Sequence, residues 1–544
     1  MCSEAGCGAA AAGARRDILA EITERRRADI AERGCSFGRA VPAVRTRPVV
    51  PFLPEAGTIL EIKRASPSKG LIAPELDAAE TARAYISAGT AAISVLTEER
   101  YFRGSLDDLV SAADAAGNRA AILRKDFLLE PEEVEVAFRC GADAVLLIGR
   151  ILPAEKLLEL AEAAFSFGMS VLFEVREDSD VEKAFRLLEC ARENGAGQQV
   201  VLGINARDLA TFAIDLLVPL RLKRKIQRLY EQRGRALAAP RIVSESGVST
   251  PEAAEFVGRL GFYGVLIGEA AARNPGNAAR LVEAFVSASQ NAGRRLDSSS
   301  DFRPYAFWEK WARLLEEKPS RPLVKVCGLA SVPDAEFAAA SGADVLGFIF
   351  SSRSPRSVCA LCGDGAALLR RVREALSALA SSGKIARRPL CVGVVTDVHS
   401  LEYALAQELL AEGALDGMQF HDCSSSADGA AGFPAVPLGC GADIERLKAL
   451  YAAGFPRALI DTRTECASGG TGIPADARLV SEAAKLAPLW LAGGVNPQNA
   501  AEFVRRYRPE LIDVASGVEE RPGVKDYKKI TALFSALPAE RCER

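Results

Sequence analysis

A rhythm in the sequence narrows the possible folds more than any other feature. From Thr58 onward, short apolar runs alternate with longer alanine-rich stretches of helical pattern. The runs are Thr58–Lys63, Ala91–Thr97, Ala120–Arg124, Asp143–Ile148, Ser170–Val175, Val200–Asn205, Arg241–Glu245 and Gly264–Ile267. Runs this apolar suit parallel strands buried on both faces, and eight β-then-α units predict a closed (β/α)8 barrel. A polar stretch then breaks the pattern, and it restarts with Leu323–Cys327, Asp344–Phe350, Leu390–Val395, Asp416–Phe420, Ala435–Leu438, Arg457–Asp461, Leu489–Ala492 and Leu511–Val514. The chain of 544 residues is long enough for two such barrels, each needing roughly 200–250 residues. The expected fold is therefore α/β, with two tandem TIM barrels. Residues 1–16 read as a disordered start, 17–290 as the first barrel, 291–320 as a linker and 321–540 as the second barrel. Asp17–Arg33 reads as an extra helix ahead of the first strand, and Phe302–Lys318 as partly helical.

Net charge is −3, with 26% charged and 49% hydrophobic residues. Nothing in that balance favours nucleic acid or an acidic membrane surface, so any anion site must be a local pocket. No apolar run approaches the ~18–20 residues of a membrane span, and the small-residue N-terminus lacks the pattern of a signal peptide. The 13 cysteines are scattered; the single CxxC, Cys359–Cys362, has neither of the two histidines, His399 and His421, beside it. That argues against structural zinc and for reduced thiols in a cytosolic protein. The expectation is a cytoplasmic monomer acting on small phosphorylated molecules, with no metal or cofactor and no nucleic-acid or membrane partner.

Active sites of (β/α)8 barrels lie at the carboxyl ends of the strands, and the polar residues cluster there. Glu61 and Lys63 end the first strand and leave it on the same face, with Ser66 and Lys69 in the following loop. Lys125, with Asp126 and Phe127, ends the third, and Glu174 the fifth. Asn205 ends the sixth with Arg207 beyond it; Glu245, Ser246 and Gly247 follow the seventh, and Gly268 follows the eighth. Singly, each reads equally well as a surface charge or a turn. Together, that many charges at one mouth are expensive to bury without a purpose. The Ser-Gly and Gly268 fall where barrels usually bind phosphate. Lysines flanked by one another and partly desolvated are expected to have lowered pKa values and to give up a proton near neutrality.

EIKRASPSKG, LRKDFL, GADAVLLI, FEV, GINARDL, VSESG and LIGE, in this order over Asp17–Ser287, closely resemble indole-3-glycerol phosphate synthase. The resemblance implies ring closure of a carboxyphenylamino-deoxyribulose phosphate with loss of CO2 and water. It implies Lys125 as general acid and Glu174 as general base. Lys63 and Glu61 would hold and polarise the substrate, and Asn205, Arg207, Ser246 and Phe127 would position it with Glu245 in support. Ser66, Ser246, Gly247 and Gly268 would cradle the phosphate.

In the second half, Cys327 at a strand end before Gly328 can be a nucleophile, a base or a small buried residue. Gly493-Gly494 and Ser516-Gly517 follow the seventh and eighth strands, and Gly469–Gly472 follows the sixth; bare glycines let backbone N–H groups approach an anion. Arg356 offers a guanidinium fork for a carboxylate. KVCGL, SPR, the sixth-strand Asp461, GGTG, AGG and SGVE…PGVKD resemble phosphoribosylanthranilate isomerase over Pro322–Leu537. This implies an Amadori rearrangement: Asp461 as the acid opening the furanose and Cys327 as the base taking the C2 proton, from a thiol whose pKa is not far from working pH. Arg356 would bind the anthranilate carboxylate, Gln419 and His421 would contact substrate, and Gly470, Gly493, Gly494, Ser516 and Gly517 would hold phosphate. The family's usual Q-x-H-G reads Gln419-Phe420-His421-Asp422 here, so His421 is either a substrate contact or a packed strand-end residue. A histidine-pathway aminoaldose isomerase competes, but it uses two aspartates. The remaining alternative is one active barrel beside a scaffold or phosphate-ligand-binding module.

Overall fold

The computed structural model describes residues 17–208, 212–234, 237–294, 306–317, 321–421, 431–462 and 477–538. The expected disordered start, Gly470 with its glycine loop, Asp422 and much of the expected linker lie outside these residues. The strands form two closed eight-stranded parallel barrels in tandem. In the first, β1 (Gly57–Ile62), β2 (Ala92–Leu96), β3 (Ala121–Lys125), β4 (Ala144–Ile148), β5 (Ser170–Val175), β6 (Val200–Asn205), β7 (Ile242–Glu245) and β8 (Gly264–Ile267) pair in sequence order. The ring closes where Gly57 faces Gly264. In the second, β9 (Leu323–Cys327), β10 (Val345–Ile349), β11 (Leu390–Val395), β12 (Gly417–His421), β13 (Gly432–Pro437), β14 (Leu459–Asp461), β15 (Trp490–Ala492) and β16 (Leu511–Val514) do the same, closing where Lys325 faces Asp513.

Side chains alternate across each strand. Leu60, Ile62, Ile93 and Val95 pack outward under the helices, while Ile59, Leu123, Leu172, Val201 and Val243 fill the first barrel. The same alternation sends Glu61, Lys125, Glu174, Asn205 and Glu245, two residues beyond such an inward position or two pairs beyond it, into the interior at the carboxyl rim.

β13 begins at Gly432, three residues before the expected run, and contains Pro434. A Cβ on Gly432 would lie 1.8 Å from the Met418 carbonyl oxygen, so the close approach of β12 demands glycine there. Glycine and proline both weaken the strand signal in the sequence.

Helix α1 (Ile18–Arg33) is capped by Asp17, whose carboxylate accepts from the Leu19 and Ala20 amides. It lies over the first mouth. Arg26 fastens it there, donating to the Phe127 carbonyl oxygen and pairing with Asp126 and with Glu133 (3.3 Å). Asp126 is therefore an anchor for the helix. Helix α2 (Ala306–Glu316) closes the amino-terminal end of the second barrel. Trp308 and Trp311 on it are fully buried, with Trp311 4.1 Å from Trp490 between ring centroids and Phe307 5.5 Å from Phe433. Its other side meets the first barrel, where Arg224 and Arg228 pair with Glu316 at 3.2 and 3.3 Å.

Candidate active sites at the barrel rims

The first mouth encloses a cavity of about 330 Å³. Its polar wall carries Glu61, Lys63, Ser66, Lys125, Glu174 and Asn205, completed by Arg207, Glu245, Ser246, Gly247 and Gly268. Its apolar wall comes from Ile18, Leu19 and Ile22 of α1, with Phe102, Phe127 and Leu266 among others. A polar floor facing an apolar ceiling suits an aromatic molecule with a charged tail. The ceiling was not legible in the sequence. The apolar spacing of α1 signals only a buried face, and a cavity wall and a packed core share that signal.

Lys125 is the centre of the polar wall. Its ammonium lies 3.1 Å from Glu245 Oε2 and 3.9 Å from Glu174 Oε2. Glu174 accepts from Asn205 Nδ2 at 3.2 Å, and Lys63 pairs with Glu61 at 2.5 Å. Burial alone would lower the Lys125 pKa. The charges of Glu245, Glu174 and Glu61 outweigh it and hold the ammonium above the usual lysine range. This corrects the expectation of a lowered lysine pKa: carboxylates rather than Lys63 are the neighbours that dominate. Burial, reinforced by Glu245 and opposed by Lys125 and Asn205, pushes Glu174 up to about 7.

Two glycines make room for this cluster. A Cβ on Gly203 would sit 1.9 Å from Glu245 Oε1, and one on Gly268 would sit 2.5 Å from Glu61 Oε1 and 2.8 Å from Lys63 Nζ. Past β7, Ser246 and Gly247 both take left-handed backbone (φ 67° and 85°), a conformation that costs a serine roughly 1–2 kcal/mol. Ser66 lies in a small hairpin over the mouth, where Arg207 reaches Ser68 Oγ at 3.4 Å.

At the second rim, a buried chain of polar groups runs across the barrel. Lys325 donates to Asp513 Oδ2 (2.6 Å) and to Gln419 Oε1 (2.8 Å), and Gln419 Nε2 lies 2.8 Å from His421 Nε2. The Lys325 charge also acts on the Cys327 thiol. Burial pushes the Cys327 thiol above its ordinary value although Lys325 pulls it down, so it rests further from working pH than expected from the sequence. Lys325 and Asp513 were missed. Their signal was present: single charges of opposite sign at inward positions of LVKVC and LIDV, on the two strands that close the ring.

Arg356 is held by Glu519 in a two-pronged contact, Nε to Oε1 at 2.9 Å and Nη2 to Oε2 at 2.8 Å. Lys525 binds the same carboxylate at 3.0 Å and the Cys327 carbonyl oxygen at 2.6 Å. Much of the Arg356 fork is thus taken within the protein, and among the described residues these contacts use Nε and Nη2. Asp461 ends β14 beside Gly493, whose Cβ would lie 3.1 Å from Asp461 Oδ1. Gly493 and Gly494 take φ 106° and 69°. Gly517 packs against the Val495 carbonyl oxygen, 2.0 Å from where a Cβ would stand, so the loops of Gly493-Gly494 and Ser516-Gly517 abut.

The fold and these two rims define a class: tandem (β/α)8 proteins with ionisable groups gathered beside glycine loops at the carboxyl rim of each barrel. Residues 20–283 match the family model of indole-3-glycerol phosphate synthase, and residues 324–536 that of N-(5'-phosphoribosyl)anthranilate isomerase. A multifunctional tryptophan biosynthesis protein of Phycomyces blakesleeanus is 32% identical over 538 residues, 90% of this chain and 63% of its own length. A tryptophan biosynthesis protein of Phytophthora nicotianae is 30% identical over 500 residues, 84% of this chain and 87% of its own. The indole-3-glycerol phosphate synthase of Carboxydothermus hydrogenoformans is 40% identical over 221 residues, 41% of this chain and 76% of its own. The chain belongs to the family of tryptophan-biosynthesis proteins and carries both of these domains. It spans just under two thirds of the Phycomyces protein. Among the described residues no helix is long and apolar enough to cross a membrane.

Proposed function

We propose that the chain catalyses two consecutive steps as a cytoplasmic monomer. The second barrel isomerises N-(5-phosphoribosyl)anthranilate to the carboxyphenylamino-deoxyribulose phosphate, and the first closes that product to indole-3-glycerol phosphate. The observation that carries the reading is the Lys125–Glu174–Glu245 cluster facing an apolar wall inside one cavity. An ammonium kept charged at neutral pH can protonate the substrate's carbonyl oxygen as ring closure makes that oxygen basic. A carboxyl titrating near 7 can take the proton lost when the ring regains aromaticity. Lys63 and Glu61 orient the substrate, Phe127 and α1 cover its aromatic ring, and backbone N–H groups around Ser246, Gly247 and Gly268 hold the phosphate with Ser66.

In the second barrel Asp461 protonates the furanose oxygen, opening the sugar to an iminium. Cys327 then removes the C2 proton. Its raised thiol pKa is offset by the Lys325 ammonium and, during the reaction, by the cationic iminium. The Nη1 edge of Arg356 takes the anthranilate carboxylate, and the Gly493-Gly494 and Ser516-Gly517 loops take the phosphate.

Complementation of two tryptophan auxotrophs, one for each step, tests this. Wild type should rescue both, Lys125→Ala only the isomerase-deficient strain, and Cys327→Ser only the synthase-deficient strain. Failure of the wild-type chain to rescue either strain would refute the assignment for that barrel.

A further inference from the structure

One short segment of the second barrel, Ala452–Arg457, touches both loops that build one side of the first cavity. The chain leaving β6 makes an antiparallel excursion in which Arg207 pairs with Ile214, and both line the cavity. Its base is closed by the Asp215 amide donating to the Ala206 carbonyl oxygen at 3.0 Å. The Asp215 carboxylate is gripped end-on by Arg457, Nη1 to Oδ1 at 2.8 Å and Nη2 to Oδ2 at 3.0 Å. Arg457 is fully buried. It is itself fixed by Glu510 through Nε and Nη2, both at 2.9 Å, and Glu510 accepts from Trp490 in the floor of the second barrel at 2.8 Å.

The β7 loop is tied to the same segment. The hydroxyls of Ser249, which lines the cavity, and Thr250 lie 3.3 and 3.2 Å from the Ala452 carbonyl oxygen as donors. A Cβ on Gly454 would lie 2.8 Å from Ala253 Cα, so glycine lets the two backbones meet where the helix after that loop begins.

We infer that the Arg457–Asp215 bridge, with the Ala452 contacts beside it, positions the substrate-binding loops of the first barrel, so that the second barrel is a working part of the synthase site. A buried two-pronged guanidinium–carboxylate pair fixes distance and orientation together. It holds the base of the loop, one residue from the Arg207–Ile214 pair that faces the cavity, where a small displacement of a positioning group weakens its hold on the substrate. Arg457 lies at the amino end of β14, away from Asp461 at its carboxyl end, and touches no group assigned to the isomerase. It is a positioning residue, and the inference rests on the ring-closure reading of the first cavity.

The test uses the full chain with Asp215→Asn, Arg457→Lys, Arg457→Gln and the Asp215→Asn/Arg457→Gln double variant. Steady-state kinetics of both reactions and hydrogen exchange of backbone amides at 212–217 are measured. Asp215→Asn leaves the Arg457–Glu510 contact intact, so it keeps the test alive if Arg457→Gln fails to fold. The expected result is a KM for ring closure raised about tenfold or more with kcat changed less, faster exchange at 212–217, and an unaltered isomerase. Arg457→Lys should recover part of the loss, and the double variant should be no worse than the worse single. Unchanged KM and unchanged exchange in folded Asp215→Asn would overturn the inference, as would additive losses in the double variant. If wild type performed no ring closure, the functional reading would fall while the exchange data still decided the bridge.

Discussion

Gly203 offers a sharp perturbation of the synthase site because a methyl there would press first on Glu245, with Leu172 Cδ1 the next neighbour at 3.2 Å. In Gly203→Ala the new methyl would start 1.9 Å from Glu245 Oε1, so the carboxylate must retreat about 1.5 Å to reach ordinary contact. Among the described residues that oxygen has no hydrogen-bond partner, so no hydrogen bond of its own resists the movement. A retreat of that size breaks the 3.1 Å contact with Lys125, a charge-assisted bond of about 1.5–3 kcal/mol. The lysine is then free to leave its reactive position, and a displacement of ~1 Å predicts a loss of ~10²-fold in turnover. Stability should move little. Crowding costs about 1–3 kcal/mol, offset by about 0.5–1 kcal/mol from replacing glycine in a strand. The pH profile adds a second signature. The Glu245 charge helps hold Glu174 up to about 7 while Lys125 pulls it down; the Glu245 effect is the larger of the two, so its retreat lets Glu174 titrate lower, and the acid limb of the rate profile shifts to lower pH. The assay is initial-rate indole fluorescence across the neutral range beside a thermal melt. A folded variant with wild-type turnover and an unmoved acid limb would refute the link between Glu245, Lys125 and the chemistry.

Other outcomes follow from the same geometry. Cys327→Ser should lower isomerase turnover by ~10²-fold or more and leave ring closure untouched, measured as two separate assays on one preparation; equal losses in both would indicate a folding defect. Lys325→Met leaves the nearly buried Asp513 charge without its cation and should destabilise the second barrel by ~3–5 kcal/mol, read by urea unfolding; a stability equal to wild type would remove the network from the fold's support. Glu174→Gln reports linkage. A carboxyl raised from 4.5 to about 7 on folding destabilises the native state increasingly as pH climbs through that window and not below it. The variant's stability relative to wild type should therefore rise between those pH values, by at most ~3 kcal/mol, and a flat difference across urea melts would contradict the raised pKa.

The barrels were readable from the sequence because burial on both faces turns each strand into an apolar run, and turns each strand end into the first place a charge is tolerated. That is why Lys63, Lys125, Glu174, Asn205 and Glu245 stood out. What stayed hidden has one physical cause: its meaning lies in partners far apart in the chain. Lys325 passed without notice in the sequence, because only the pairing of β9 with β16 sets Asp513 across from it. The pKa direction of Lys125 depends on how many carboxylates surround it, and spacing along a strand says nothing about neighbours from other strands. Arg356 suggested an open fork, and Glu519, 163 residues away, occupies much of it. Arg457 carried no pattern at all, since its role needs a surface of the other barrel.

All three tryptophans of the chain, Trp308, Trp311 and Trp490, stand in the plug at the floor of the second barrel. The molecule thus comes with an optical label confined to one half. Its indole emission reports the opening of that floor, while loss of the first barrel passes almost unseen in the same channel. Paired with circular dichroism, which weighs both halves alike, this uneven labelling lets each unfolding transition be attributed to its barrel without adding a dye or dividing the chain.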